Sequence, residues 1–118
     1  MTARDTLTAY EQRINRHDFD LLLDQIAPDA TFWFSDGSHR GIAEIRSAFE
    51  KTWEAMGDGE HYWLTDVEWV AEGSEAAACI YQFNWRCGEQ NGSGRGTTVL
   101  ARTSAGWRIV HEHLSRMP

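Results

Sequence analysis

The second half of the chain is a series of four β-rich runs joined by short connections, and this series restricts the possible folds more than any other feature. The predicted strands are Tyr62–Ala71, Ala76–Arg86, Thr97–Thr103 and Gly106–Ser115. Turn-forming residues separate them at Gly73-Ser74 and Ser104-Ala105, as is typical of hairpins. The glycine-rich stretch Gly88–Gly96 is predicted to be a flexible hairpin loop. Because consecutive strands with short connections pair antiparallel, this half of the chain predicts a meander sheet.

The first half of the chain predicts three helices and one further strand. The first helix, Thr2–Asn15, carries an apolar stripe at helical spacing. That stripe consists of Ala3, Leu7, Tyr10 and Ile14. A shorter second helix is capped by Asp18, and the third helix follows Gly41. A β-rich run, Ala30–Phe34, lies between the second and third helices. Helices followed by a series of strands indicate an α+β domain, a curved sheet with helices on one face.

Length, charge and cysteine content exclude several classes of function. A chain of 118 residues is expected to form one domain, residues 1–118, with a core of its own. The net charge of −7 argues against a nucleic-acid partner. No apolar run approaches the ~20 residues of a membrane-spanning helix, and the first residues do not resemble a signal peptide. Cys79 and Cys87 lie on one predicted strand, about 26 Å apart and beyond disulfide reach, so free thiols in a reducing cytoplasm are expected.

The last predicted strand carries two histidines that are candidates for acid–base chemistry. Side chains alternate across a strand, so one face is predicted to carry Trp107, Ile109, His111 and His113. Glu112 is predicted to lie on the opposite face. An ordinary imidazole titrates near pH ~6.5 and exchanges a proton at neutral pH. The strand is therefore interpreted as a pocket wall, although buried structural histidines would show the same pattern.

The order of these elements resembles the nuclear transport factor 2-like superfamily, in its SnoaL-like and ketosteroid isomerase-like branches. The resemblance rests on Asp29-Ala30-Thr31 before the first strand, on Gly41 at the start of the third helix, and on Gly106–His111 near the end. It covers essentially the whole chain and implies a single SnoaL-like domain. The implied fold is a cone-shaped, curved sheet, mixed or antiparallel, with three helices packed on its concave face. This fold hosts isomerases, dehydratases, polyketide cyclases and non-catalytic assembly domains, so it does not by itself imply a function.

The comparison with ketosteroid isomerases implies a role for one tyrosine. It also implies that the two catalytic aspartates of those enzymes are absent from this chain. In those enzymes a tyrosine of the first helix donates to the enolate oxygen, within a Tyr-x4-Asn-x2-Asp frame that Tyr10, Asn15 and Asp18 match. The positions of the two isomerase aspartates correspond to Phe34 and to the neighbourhood of Thr98. Steroid isomerisation needs a general base beside the substrate carbon. Because that base is absent, this reaction is not predicted.

The comparison with scytalone dehydratases implies another catalytic set. Those relatives pair histidine with aspartate and tyrosine to eliminate water. The corresponding candidates here are His111 or His113 as the base, Asp36 as the residue that orients it, and Tyr10 as a donor. A metal site is not predicted, because only Asp36 or His39 could supply a third ligand to the His pair and nothing fixes that geometry. No cofactor is predicted.

Two assignments of the sheet faces remain open from the sequence. The resemblance favours Gln82, Asn84 and Arg86 facing the cavity, which leaves Tyr81, Phe83 and Trp85 on the outer sheet face as a homodimer interface. In the reverse assignment the aromatic residues line the pocket. The predicted ligand-lining residues are Trp33, Phe34, Trp53, Gln82, Asn84, Arg102 and Trp107.

Two classes of function follow. The first is a small-molecule-binding domain with lyase or isomerase activity on a hydrophobic, oxygenated substrate in the cone cavity. The second is a ligand-binding or oligomerisation domain that performs no chemistry. Convergence of a histidine nitrogen, the Tyr10 hydroxyl and an Asp36 oxygen on one open cavity would favour catalysis.

Overall fold

A computed structural model describes all 118 residues, Met1–Pro118, and confirms the α+β class. The α-helices are α1 (Ala3–Ile14) and α2 (Gly41–Met56). The strands are β1 (Ile26–Phe34), β2 (Gly37–Arg40), β3 (His61–Glu72), β4 (Ala76–Cys87), β5 (Gln90–Thr103) and β6 (Gly106–Arg116). The predicted second helix is only one turn of 3-10 helix, Phe19–Leu22, so the expectation of three helices is wrong by one.

The six strands form one sheet in the order β2-β1-β6-β5-β4-β3. The strands from β3 to β6 pair antiparallel with their sequence neighbours, as the meander prediction requires. β1 pairs parallel with β6 and antiparallel with β2, so the sheet is mixed. The first strand of the chain therefore lies between the edge strand β2 and the last strand, β6.

Both α-helices pack against one face of the sheet, which we call the inner face. The buried stripe of α1 includes Leu7, Tyr10 and Ile14, as the helical spacing predicts. A capping box starts this helix: Thr2 Oγ1 accepts from the amide of Asp5 at 3.1 Å, and the Asp5 carboxylate accepts from the amide of Thr2 at 2.9 Å. Between helices and sheet lies the core, whose most completely buried large side chains include Phe19, Leu22, Ile26, Phe32, Ile45, Leu100 and Ile109.

The glycine-rich stretch is a strand and not the loop that the sequence suggests. β5 begins at Gln90, and the connection to β4 is a short turn at Gly88-Glu89. Three glycines of β5 each lie opposite an aromatic residue of β4, in the pairs Trp85–Gly92, Phe83–Gly94 and Tyr81–Gly96. A Cβ atom at any of the three glycines would overlap the ring of its partner. We call these the aromatic–glycine pairs, because each ring lies directly on bare backbone that only glycine provides.

A β-bulge in β6 reverses which side chains face inward. Leu100 of β5 pairs with Ile109 and Val99 pairs with His111, so Val110 is left without a partner. Ile109 and Glu112 consequently share the inner face, with 0% and 1% of their surface exposed. The prediction that both histidines share the inward face with Ile109 is therefore wrong, because strict alternation stops at Val110.

Candidate functional site

A cavity of about 390 Å³ lies between α2 and the inner face of the sheet, a volume in the usual range for small-molecule sites. Its walls are mainly aromatic and aliphatic, and include Ile14, Phe34, Phe49, Trp53, Met56, Tyr62, Phe83, Trp85 and Leu114. The polar side chains at its surface include Asp36, Thr52, Glu60, Glu112 and Arg116. Such a site suits a largely apolar ligand that carries few polar groups.

The aromatic–glycine pairs form one wall of this cavity. Phe83 and Trp85 line it directly, and Tyr81 lies deeper on the same face of β4. The favoured assignment of faces is thus wrong, and the reverse assignment describes the molecule. The aromatic residues that were expected to form an outer dimer interface are inside the protein.

Glu112 is the buried carboxyl group of the site. It lines the cavity although only 1% of its surface is exposed. The Tyr10 hydroxyl donates to Glu112 Oε2 at 3.3 Å. On the other side, the hydroxyls of Tyr81 and Thr98 lie 3.5 and 3.4 Å from Oε1 and 2.7 Å from each other. We call these four residues the hydroxyl–carboxyl cluster.

Burial controls the protonation of this cluster. Loss of solvent raises the pKa of Glu112 to about 7, and the three hydroxyls partly oppose that rise. At neutral pH both the acid and the carboxylate are therefore populated, which is the condition for proton transfer in either direction. Burial, reinforced by Glu112, raises the pKa of Tyr10 and that of Tyr81 well above the ordinary phenol value, so both tyrosines remain donors.

The hydroxyl of Tyr10, predicted to donate to a ligand, donates here to Glu112. Only 2% of Tyr10 is exposed, and Tyr10 is not among the residues that line the cavity. Asn15, which belongs to the Tyr-x4-Asn-x2-Asp frame, has a structural role here. It exchanges two hydrogen bonds with the backbone of Tyr62, at 2.7 and 2.8 Å. These bonds hold α1 against β3.

The two histidines of β6 lie on the outer face of the sheet. His111 Nδ1 donates to the carbonyl of Thr31 at 2.6 Å. The indole of Trp33 packs edge-on to both imidazoles, with ring centroids 4.7 and 5.5 Å apart. Asp36 is at the cavity but pairs with His39 at 3.0 Å. The predicted catalytic set of His111, His113, Asp36 and Tyr10 therefore does not converge.

The predicted ligand-lining residues divide between three places. Phe34 and Trp53 line the cavity. Arg102 and Trp107 line a separate depression of about 620 Å³ beside the first residues of α1. Trp33, Gln82 and Asn84 are on the outer face, where 46% of Trp33 is exposed.

The inward placement predicted for Gln82 and Asn84 is wrong for a physical reason. Asn84 Oδ1 accepts from Gln82 Nε2 at 2.8 Å and from Ser93 Oγ at 2.9 Å, and Asn84 Nδ2 donates to Thr65 Oγ1 at 3.1 Å. The amides are satisfied by each other and by neighbouring strands. They need neither water in a cavity nor a ligand.

A second carboxylate, Glu60, lies at the cavity in the connection between α2 and β3. Only 7% of its side chain is exposed. His17 Nε2 is 3.5 Å from Glu60 Oε1, and the His17 ring stacks on Trp53 with centroids 5.2 Å apart and planes 14° apart. Burial raises the pKa of Glu60, while His17 and then His61 lower it.

The sequence held a signal for Glu112 that strand alternation concealed. Glu112 is the one carboxylate of a predicted strand that also contains Trp107, Ile109, Val110 and Leu114, and a carboxylate in a buried strand is unusual unless it has partners. Glycines occupy every second position of Gly92–Gly96, and aromatic residues occupy every second position of Tyr81–Trp85. This pattern indicates cross-strand pairs and therefore an inward-facing Tyr81. No comparable signal distinguishes Glu60, because its polar partner, His17, is distant in the sequence.

No group of three or more His, Cys, Asp or Glu side chains in the chain could hold a metal ion. No helix is long and apolar enough to cross a membrane. Cys79 and Cys87 are free thiols. Burial raises the pKa of Cys79 to about 12, so this thiol is an inert core group.

A curved sheet that holds two helices and a cavity on its inner face defines a nuclear transport factor 2-like fold, and the comparisons agree with it. The SnoaL-like domain model matches residues 3–118, so the chain belongs to the SnoaL-like domain family. No curated protein matches the chain in sequence.

Solved structures show the same fold at low sequence identity. A nuclear transport factor 2-like superfamily protein from Salmonella enterica serovar Typhimurium superposes with a TM-score of 0.84 at 22% identity, over 97% of this chain and 87% of that one. A proposed dehydratase of the same family from Streptomyces avermitilis gives a TM-score of 0.84 at 20% identity, over 99% and 94%. A proposed aromatic ring hydroxylase from Novosphingobium aromaticivorans gives 0.82 at 21%, over 99% and 88%. At these identities the likeness establishes the fold alone.

Proposed function

We propose that the chain binds a hydrophobic, oxygen-bearing small molecule in the cavity and performs acid–base chemistry of the lyase or isomerase type with Glu112. The observation that carries this proposal is a carboxyl group, buried at an aromatic cavity, whose pKa burial raises to about 7. A neutral carboxyl donates a hydrogen bond to a carbonyl oxygen, and that bond strengthens as negative charge develops on the oxygen. The hydroxyl–carboxyl cluster holds the group in place beforehand.

The resemblance to ketosteroid isomerases supports this role. The position of their second, protonated aspartate corresponds to the neighbourhood of Thr98, and Thr98 pairs directly with Glu112 in the sheet. A carboxyl of raised pKa therefore lies in the same region, but it comes from the next strand. A structural relative that is named as a proposed dehydratase is consistent with a lyase.

Binding of 2-tetralone, a bicyclic ketone, tests the proposal by calorimetry at about pH 5.5 and about pH 8.5, on either side of the Glu112 pKa of about 7. Protonated Glu112 donates to the ketone, so we expect affinity to fall about 10-fold at the higher pH, the loss of one good hydrogen bond. Glu112→Gln should bind equally at both pH values.

The matched control is His113→Gln, a titratable residue of the same strand that lies on the outer face and is exposed. It should reproduce the wild-type pH dependence. Absence of binding, or a Glu112→Gln variant that keeps the pH dependence, would contradict the proposal.

Binding without chemistry is the second candidate, and one observation favours it. Three hydroxyls already surround the Glu112 carboxyl, so the cluster could serve only to stabilise the fold. In that case 2-tetralone binds and its protons exchange no faster than in buffer.

A homodimer through the outer sheet face remains a prediction, as does a cytoplasmic location. The aromatic patch on which the dimer was predicted is internal, but Trp33 and Ile80 leave 46% and 40% of their surfaces exposed on that face. Sedimentation equilibrium of the wild type and of Trp33→Glu tests it: a dimer that becomes a monomer supports the interface, and a monomeric wild type contradicts it.

A further inference from the structure

The cavity contains a second carboxylate whose surroundings differ from those of Glu112. No hydroxyl or amide of the chain donates to the Glu60 carboxylate; its polar partner is His17, at 3.5 Å. Glu112 instead has three hydroxyls around it. Glu60, which lines the cavity, therefore retains lone pairs that can accept a proton. The lone pairs of Glu112 are largely taken up by hydrogen bonds from the three hydroxyls. One carboxyl is suited to accept a proton and the other to donate one.

His17 is held beside Glu60 by features of the chain that do not depend on a ligand. Its backbone has the left-handed φ of 53° immediately after α1, and its ring lies nearly parallel to Trp53 of α2. Its Nε2 atom is buried and makes no hydrogen bond of good geometry. A buried imidazole without a satisfied partner is costly unless another contact compensates. Here that contact is the Glu60 carboxylate, which the ring keeps beside the cavity.

We infer that Glu60 is the proton acceptor of the cavity, with His17 as its positioning residue, and that it acts on the same bound ketone as Glu112. The inference rests on the proposed function, because it needs a ligand in that cavity. It assigns a substrate class: ketones that carry a C–H group next to the carbonyl. It also assigns two different roles to two carboxyls, set by their environments.

The step transfers two protons and no electrons to or from the protein. Glu60 removes a proton from the carbon next to the carbonyl, and the electrons of that C–H bond form a C=C bond. The electron pair of the C=O bond takes the proton of Glu112, which gives an enol. Glu60 is then protonated and Glu112 ionised. When the step runs in reverse, return of a proton to the same carbon gives hydrogen exchange. Delivery of the proton to another carbon gives isomerisation.

Asp36, Glu112 and Arg116 also line the cavity, but the titratable groups whose charges interact most directly with Glu60 are fewer. They are His17 from the connection after α1, His61 at the start of β3, and Tyr62, whose raised pKa reflects burial first and Glu60 among several acids. α2 contributes Trp53, which carries no charge. Removal of the imidazole of His17 is therefore expected to raise the pKa of Glu60, because that imidazole is the largest influence that lowers it.

Deuterium exchange at the carbons next to the carbonyl of 2-tetralone, followed by proton NMR in heavy water, tests the assignment. The wild type should accelerate the exchange over buffer. Glu60→Gln should slow it by about 100-fold, the usual contribution of a general base, with the affinity for 2-tetralone unchanged. Glu60→Asp should restore part of the rate. Glu54→Gln, an exposed glutamate of α2, is the matched control and should behave as the wild type.

His17→Asn tests the positioning role, since asparagine also adopts the left-handed conformation readily. We expect a lower kcat for exchange with little change in KM. The acid limb of the pH–rate profile should move to higher pH by about one unit. A merely structural role would leave that limb in place.

The two proposals fail in different ways. If 2-tetralone binds without the Glu112-dependent pH effect, the proposed function is wrong whatever Glu60 does. If binding behaves as proposed but the wild type exchanges no faster than buffer, both the acid–base chemistry and the role of Glu60 are wrong, and binding alone remains. If the wild type accelerates the exchange and Glu60→Gln exchanges as fast as the wild type, only the assignment of Glu60 is overturned.

Discussion

The two faces of the sheet are built from the same strands but are stabilised differently, the inner face by close packing and the outer face by hydrogen bonds between side chains. On the inner face, aromatic rings lie on glycines and a carboxyl is buried with 1% of its surface exposed. On the outer face, Gln82, Asn84 and Ser93 satisfy one another, and the ring of Trp33 packs edge-on to two histidines. Neighbouring residues of β4 and β5 therefore belong to different environments.

The difference shows where substitutions should matter. Inner-face positions are fixed by close packing and by the cost of a buried charge. Outer-face positions depend mainly on hydrogen bonds between side chains, each of which has a modest net value. The following substitutions contrast the two faces.

The largest effect is expected at Gly94. A Cβ there would overlap both the Phe83 ring and the carbonyl oxygen of Ser115, and backbone cannot move aside easily. Gly94→Ala should lower the free energy of unfolding by ~4 kcal/mol, above the usual cost of overpacking. The adjacent outer-face substitution Ser93→Ala should cost only ~1 kcal/mol, the value of its hydrogen bond. Urea denaturation measures both, and equal losses would remove the contrast between the faces.

The second effect is a pH dependence of stability that Glu112 causes. Its pKa rises from the ordinary 4.5 to about 7 on folding, so the folded state binds the proton more tightly. The corresponding stability is fully present below about pH 4.5 and is lost as the pH rises through about 7. The loss is on the order of 3 kcal/mol.

Glu112→Gln isolates this contribution, because the amide cannot ionise. Denaturation curves across that pH window should show a smaller decline for the variant than for the wild type. A wild type and variant with parallel pH dependence would mean that Glu112 is not the group responsible.

A smaller effect is expected for Tyr81→Phe. The variant loses the 2.7 Å contact with Thr98 and the weaker one with Glu112, at a cost of ~1 kcal/mol in the free energy of unfolding. Because the Tyr81 hydroxyl lowers the pKa of Glu112, its removal should also move the Glu112 titration to higher pH. The carboxyl signal in carbon NMR gives that midpoint directly, and a midpoint that moves down would contradict the cluster.

The smallest effect is expected for His113→Gln. The residue is exposed on the outer face, so its unfolding free energy should change by no more than ~0.5 kcal/mol. Affinity for 2-tetralone should not change. A clear loss of binding would return His113 to the candidate site and reverse our placement of β6.

The fold was predictable because its main determinants are local. Turn residues between the strands, the cap at Thr2 and the apolar stripe of α1 each specify an element without reference to the rest of the chain. The resemblance at Gly41 and at Gly106–His111 then indicated the arrangement. The second helix was overestimated because Asp18 starts a helical turn that the chain does not continue.

The site was less predictable because its geometry depends on pairing between distant strands. A single unpaired residue, Val110, decides whether His111 or Glu112 faces inward, and no local property of that residue indicates a bulge. Glycine is disfavoured in strands, so Gly92, Gly94 and Gly96 suggested a loop. Packing under three rings overrides that preference. Glu60 lies outside any regular element, and only tertiary contacts bury it.

The close packing of each aromatic ring on a glycine restricts how substitutions can change the shape of the cavity. A smaller residue in place of Tyr81 or Phe83 uncovers a glycine and leaves a gap, and a larger residue in place of that glycine has no room while the ring remains. Either change alone is harmful, so the contour of the chamber should shift by paired replacements on adjacent strands. Redesign for a bulkier guest would therefore alter both members together, for example Gly96→Ala with Tyr81→Leu.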